Sequence, residues 1–125
     1  MTTEDTTSTS LQSAVALRFR DKPVPVELES VIDALLAFHP ASSRENIIRG
    51  YQFADYLHRE QNRRSGEEYI THPIAVAKIL ADLGLTEPTI VAALLHDTVE
   101  DTGYSLEQLE FDFGTEIAGL VDGVT

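Results

Sequence analysis

The stretch Glu87–Gly103, EPTIVAALLHDTVEDTG, carries proline near its start, glycine at its end and an almost unbroken apolar run between them. Proline suits a first helical turn and glycine the position just past a helix end, so the segment reads as one helix. Its first half is apolar nearly all round, as in a helix buried in a core. His96, Asp97, Glu100 and Asp101 then follow within six positions. Burying such groups without partners costs several kcal/mol each, so something must compensate them, and a metal would do so. On a wheel turning about 100° per residue, with His96 at 0°, Glu100 falls near ~40°, Asp97 near ~100° and Asp101 near ~140°. Val91, Leu95 and Val99 fall between roughly 220° and 300°, so an apolar face is free to pack while the opposite face gathers ligands and acids. The competing interpretation is a solvated rim of carboxylates, since charged residues usually lie outside.

Outward from this segment the chain repeats the same grammar. PVELESVIDALLAF places Val26, Ile32, Leu35, Leu36 and Phe38 near one stripe and stops at His39-Pro40, because the residue before proline avoids the helical region. SSRENIIRGYQFADYLHREQ begins with Ser42 three before Glu45, a capping-box spacing, and carries Ile47, Ile48, Tyr51, Ala54 and Leu57 at helical spacing. After a loop marked by Gly66, PIAVAKILADLG reads as a short apolar helix from Pro73 to a cap at Gly84. SLEQLEFDFG offers a second capping box, Ser105 with Gln108, and TEIAGLVDGVT spaces Ile117, Leu120, Val121 and Val124 for a last helix. No strand alternation or internal repeat interrupts this pattern, so the expected fold is an all-α bundle of about six helices, running on past its C-terminus.

Composition bounds the rest. The 125 residues suit one domain; MTTEDTTSTS, low in complexity and without an apolar core, predicts a disordered tail over 1–22 and leaves 23–125 to fold. Without cysteine there are no disulfides, thiolate zinc sites or thiol nucleophiles, and no apolar run is long enough to span a membrane, so a cytoplasmic protein is expected. With 21 acidic against 9 basic residues, general binding to nucleic acid or anionic membrane is disfavoured. Beyond Lys78 there is no Lys or Arg, while ten acidic residues run from Asp82 to Asp122, so either cations bind there or neighbouring sequence is missing.

Elsewhere, His72 is the second candidate ligand, held extended before Pro73 so that it can point across to the 87–103 helix; the alternative is a histidine that caps a helix start. Arg63 and Arg64 can fork onto phosphate and stack on a base, or form a solvated basic turn, with Ser65 and Tyr69 as candidate pocket wall. His39 and His58 read as structural, His58 on an ordinary polar helical face.

RRSGEEYITHPIAVAKILADLGL, then ALLHDTVEDTGYSLEQLEFDFG, then LVDGVT, resemble in order and spacing the N-terminal hydrolase domain of the Rel/Spo family of alarmone synthetase-hydrolases, from about Val26 to Thr125. The resemblance implies an HD-superfamily fold whose metal is held by a histidine, the His-Asp pair and a distant aspartate. The first three map to His72, His96 and Asp97; the fourth lies beyond the LVDGVT block. It further implies Mn²⁺ as cofactor, consistent with nitrogen and carboxylate donors, and Arg63, with Arg64, as substrate-binding. The implied reaction removes the 3′-pyrophosphate of guanosine tetra- or pentaphosphate. Glu100, one turn after His96, would then orient or deprotonate the attacking water, with Asp101 assisting. Family members are much longer, so an N-terminal fragment with an incomplete metal site, weak metal binding and little turnover is expected. A non-catalytic helical module and an HD phosphohydrolase for another nucleotide are the alternatives.

Overall fold

The structure is a computed structural model whose backbone is described for residues 3–62 and 71–124 and whose side chains are described for 11–59 and 73–123. Helices follow one another as α1 (Thr3–Arg18), α2 (Val26–Phe38), α3 (Arg44–Asn62), α4 (Thr71–Asp82), α5 (Glu87–Leu95), α6 (Thr98–Thr102), α7 (Leu106–Phe113) and α8 (Thr115–Val124). Among the described residues there is no strand, and the all-α reading holds. These eight segments exceed the expected six for two reasons: the N-terminal segment is helical, and the helix over 87–103 is broken in two.

Segment 1–22, expected to be a disordered tail, is helical over Thr3–Arg18. The low-complexity start concealed a stripe further on. Leu11, Val15 and Phe19 recur every four residues, Val15 and Phe19 are buried, and the Phe19 ring meets Tyr51 of α3 edge-on at 5.9 Å.

Helix α5 is the axis of the bundle, with Ile90, Val91, Ala92, Leu94 and Leu95 all buried. Pro88 sits in its first turn, as its sequence implied. It packs against α3, α4 and α8. Gly50 of α3 lets α3 come close: a Cβ there would stand 3.2 Å from Val91 Cγ1. Glu87 at the start of α5 accepts from Ser43 N and Asn46 Nδ2 of α3, both at 2.6 Å. The α3 start therefore differs from the expected Ser42/Glu45 box. Ser43 Oγ accepts from Asn46 N, and the acid comes from another helix. By contrast, the Ser105/Gln108 capping box is present in full.

Helix α2 buries Leu28, Val31, Ile32 and Leu35, a stripe rotated from the expected one, so that Val26 and Phe38 are exposed. It ends at His39, whose Nε2 donates to Gly84 O at 2.8 Å, which is the structural role its sequence position suggested. Gly84 itself has φ +85, the left-handed region where a Cβ is disfavoured, and it lies under the Phe38 ring.

A polar clamp closes the far side. The buried Asp112 of α7 accepts from Tyr104 OH at 2.5 Å and from Gln12 Nε2 of α1 at 2.6 Å, while its backbone carbonyl accepts from Arg49 of α3. Burial raises the Tyr104 pKa, and the hydrogen bond to Asp112 and that carboxylate's charge raise it further. In the unfolded chain a tyrosine ionises near pH ~10, so above that pH the folded chain holds a proton the unfolded chain has released. The clamp's contribution is therefore complete below about pH 10 and declines as pH rises above it. In an alkaline titration followed at once by tyrosinate absorbance and circular dichroism, the ionisation that Tyr104→Phe removes should coincide with unfolding; its appearance in a folded chain near pH ~10 would contradict the clamp.

Candidate metal centre

Local sequence decides how the His-Asp dipeptide is presented. Helix α5 stops at Leu95, His96 and Asp97 form a turn, and α6 restarts at Thr98. Asp97, at φ −82 and ψ −12, opens the helical twist without leaving the right-handed region. Asp101 N still donates to Asp97 O at 2.9 Å, so the chain stays wound while its axis is interrupted. Thr98 is fully buried and anchors α6, Thr102 Oγ1 donates back to Thr98 O at 2.7 Å, and Gly103 ends the segment at φ +80. The single continuous helix expected over 87–103, and with it the strict wheel, is thus corrected at the two residues that carry the motif.

The break turns His96 back on its own helix. Its Nδ1 donates to Ala93 O at 2.9 Å, capping a carbonyl that the end of α5 leaves without a helical partner. A carbonyl can only accept, so the proton on this side is assigned by chemistry, and a neutral ring has its lone pair on Nε2. Nε2 lies 2.9 Å from Asp97 Oδ1, and both side chains are about one third exposed. Two acceptors at that distance require a proton or a cation between them.

The donor set fits a divalent cation. An imidazole whose second nitrogen is tied to a backbone carbonyl is the usual form of a metal-ligating histidine. The 2.9 Å separation is that of an N–H···O hydrogen bond or ion pair, and it leaves both atoms close enough to ligate one ion. Among the described residues no group of three or more ligating side chains is gathered. His72 lies in the first turn of α4, inside the helix and not in the extended segment its sequence suggested, and its side chain is outside the described residues, as are Arg63, Arg64, Ser65 and Tyr69.

Glu100 and Asp101 are exposed on the first turn of α6. Their exposure is what the solvated-rim interpretation expects, so their carboxylates need no metal to compensate burial. An apolar cleft of about 310 Å³ between α4, α5 and α8 has Val76, Leu80, Ala92, Ala93 and Leu120 as walls and His96 at its edge. Thr89 also lines it, so its polar groups are the Thr89 side chain and His96.

One residue of this region was misread in the sequence. His58, assigned to a polar face, is 3% exposed; its Nδ1 donates to Ala54 O at 3.0 Å and its Nε2 stands 3.7 Å from Asp101 Oδ2. The signal was available, because Ile47, Tyr51, Ala54 and His58 follow one helical stripe whose other members are buried.

The sequence pattern of the HD domain matches residues 50–125, the part of the chain that holds α5, α6 and this turn. The chain belongs to the HD-domain family. Its relatives carry names of the RelA/SpoT type. The chain is similar to a probable GTP pyrophosphokinase of Mycobacterium leprae, 54% identical over 98 residues, which are 78% of this chain and 12% of that protein. A guanosine-3′,5′-bis(diphosphate) 3′-pyrophosphohydrolase of Aquifex aeolicus is 49% identical over 100 residues, 80% of this chain and 14% of that protein. A bifunctional (p)ppGpp synthase/hydrolase RelA of Mycobacterium tuberculosis is 54% identical over 78 residues, 59% of this chain and 11% of that protein. The chain thus spans no more than 14% of the length of these relatives.

Proposed function

We propose that this HD domain is part of a metal-dependent hydrolase that removes the 3′-pyrophosphate from guanosine tetra- or pentaphosphate. The observation that carries the reading is the turn at His96-Asp97, where an imidazole nitrogen and a carboxylate oxygen stand 2.9 Å apart at the end of a buried helix. The names of the relatives supply the substrate class.

His72, His96 and Asp97 would hold the cation, for which Mn²⁺ is proposed, since carboxylate and imidazole without thiolate suit a six-coordinate ion that takes oxygen and nitrogen donors. When bound, such a cation lowers the pKa of water and draws charge from the phosphoryl oxygens. Glu100 takes the proton of the attacking water, and Asp101 relays it or returns it to the departing ribose 3′-oxygen. Water's oxygen bonds to the phosphorus next to that 3′-oxygen, the P–O3′ bond breaks, and pyrophosphate leaves together with GDP or GTP. Arg63 and Arg64 would take the substrate's phosphates or stack on its base, supplying the positive charge that the chain lacks after Lys78.

The test uses the chain carried on through its downstream reading frame, incubated with Mn²⁺ and guanosine tetraphosphate, with pyrophosphate release as the readout. Glu100→Gln keeps the shape of the side chain and removes the base, and should lower kcat by about 10²- to 10⁴-fold at nearly constant KM. Turnover by Glu100→Gln at the unsubstituted rate would remove Glu100 from the mechanism. Pyrophosphate release unaffected by both Glu100→Gln and His96→Ala would sink the hydrolase assignment.

A further inference from the structure

We propose that His58 is a positioning residue for Asp101, a buried imidazole on α3 that fixes the direction of an otherwise exposed carboxylate on α6. The proposal rests on the hydrolase reading for what Asp101 does, and on the structure for what His58 does to it.

Asp101 by itself is poorly suited to an acid-base role, because its side chain is 53% exposed and its helix is only five residues long. An exposed carboxylate samples several rotamers, and proton transfer requires one of them. His58 is the opposite kind of group. It is buried, it stands on a 19-residue helix, and its ring is pinned because Nδ1 donates to Ala54 O. Pinning Nδ1 leaves Nε2 as the atom turned to α6, where it lies 3.7 Å from Asp101 Oδ2. That distance is longer than a direct hydrogen bond and suits an ion pair with a protonated ring or contact through one water. In either form the rigid helix offers the mobile carboxylate a fixed partner. The ring meets the carboxylate from the core side, so it can restrain Asp101 without blocking access from solvent.

Two substitutions separate positioning from packing. In His58→Gln the amide nitrogen can occupy the place of Nε2 and still face Asp101. In His58→Asn the shorter amide can still donate to Ala54 O but cannot reach α6. The first measurement is made on the 125-residue chain, where the His58 side-chain ¹⁵Nε2 resonance should move on Asp101→Asn and stay in place on Glu100→Gln. A resonance indifferent to Asp101→Asn overturns the proposal. The second is made on the extended chain with Mn²⁺ and guanosine tetraphosphate. There His58→Asn should lower kcat on the order of tenfold with KM unchanged, His58→Gln should recover most of the loss, and His58→Asn should add nothing to Asp101→Asn. Equal losses in the Asn and Gln variants, or losses that multiply with Asp101→Asn, would make His58 a packing residue and overturn the proposal. Absence of turnover in the unsubstituted extended chain would overturn the hydrolase reading alone, and the resonance would then decide the His58–Asp101 coupling.

Discussion

His96→Ala is expected to abolish measurable hydrolysis in the extended chain, lowering the rate on the order of 10³-fold or more, equivalent to about 4 kcal/mol of transition-state stabilisation. The reason is local. His96 contributes one of the two donors that meet at 2.9 Å, and its ring is oriented by the Ala93 carbonyl, so no neighbour can substitute for it. Folding should hardly change, because the side chain is about one third exposed and its single hydrogen bond to backbone contributes about 1 kcal/mol. The two effects can be read separately. Thermal unfolding of the variant should stay within a few degrees of the parent, while Mn²⁺ affinity, measured by calorimetry without substrate, should fall at least tenfold. Unchanged Mn²⁺ affinity in a folded His96→Ala chain would place the cation elsewhere and remove the turn from the metal centre.

The second large effect concerns the helix that presents this turn. Leu95, immediately before His96, is fully buried, and Leu95→Ala should destabilise the domain by about 3 kcal/mol through lost burial and the cavity left behind. For a domain of this size that corresponds to a fall in Tm of roughly 10–20 °C. It is a large share of a total stability that in domains of this kind is about 5–15 kcal/mol. Val99, partly buried on α6, should lose less on the same change, because its side chain is smaller and part of its surface stays in water. A shift of under about 3 °C for Leu95→Ala would mean that the α5 core collapses around the gap or is looser than its burial implies.

These two residues are neighbours in sequence and opposite in kind, and that contrast shows how far the chain could be read unaided. The apolar run before His96, the proline near its start and Gly103 at its end identified a buried helix, its start and the far end of α6, but not the break at His96-Asp97, because helix punctuation and amphipathic periodicity are local properties. The same locality made the Ser105/Gln108 box and the His39 stop legible. Where burial depends on what lies opposite, the reading failed. Val26 and Phe38 look like core and are exposed, since α2 presents a neighbouring stripe to α4. Leu11, Val15 and Phe19 were hidden by the polar residues before them; they line α1 and the turn after it, where α3 and α7 offer a surface to cover.

The candidate site divides along the same line. Sequence alone singled out the candidates: His96 and Asp97 as proposed donors, Glu100 and Asp101 as proposed acids beyond them, all within one turn or so of each other. Only the tertiary structure decided how they are presented. The helix breaks at the motif, a choice made by packing on both sides of Leu95 and Thr98. It also decided that His58, 43 positions from Asp101, stands beside it, because α3 must pack on α6 to bury its own stripe. Periodicity shows that a residue lies on the buried face; only the partner helix shows what it meets there.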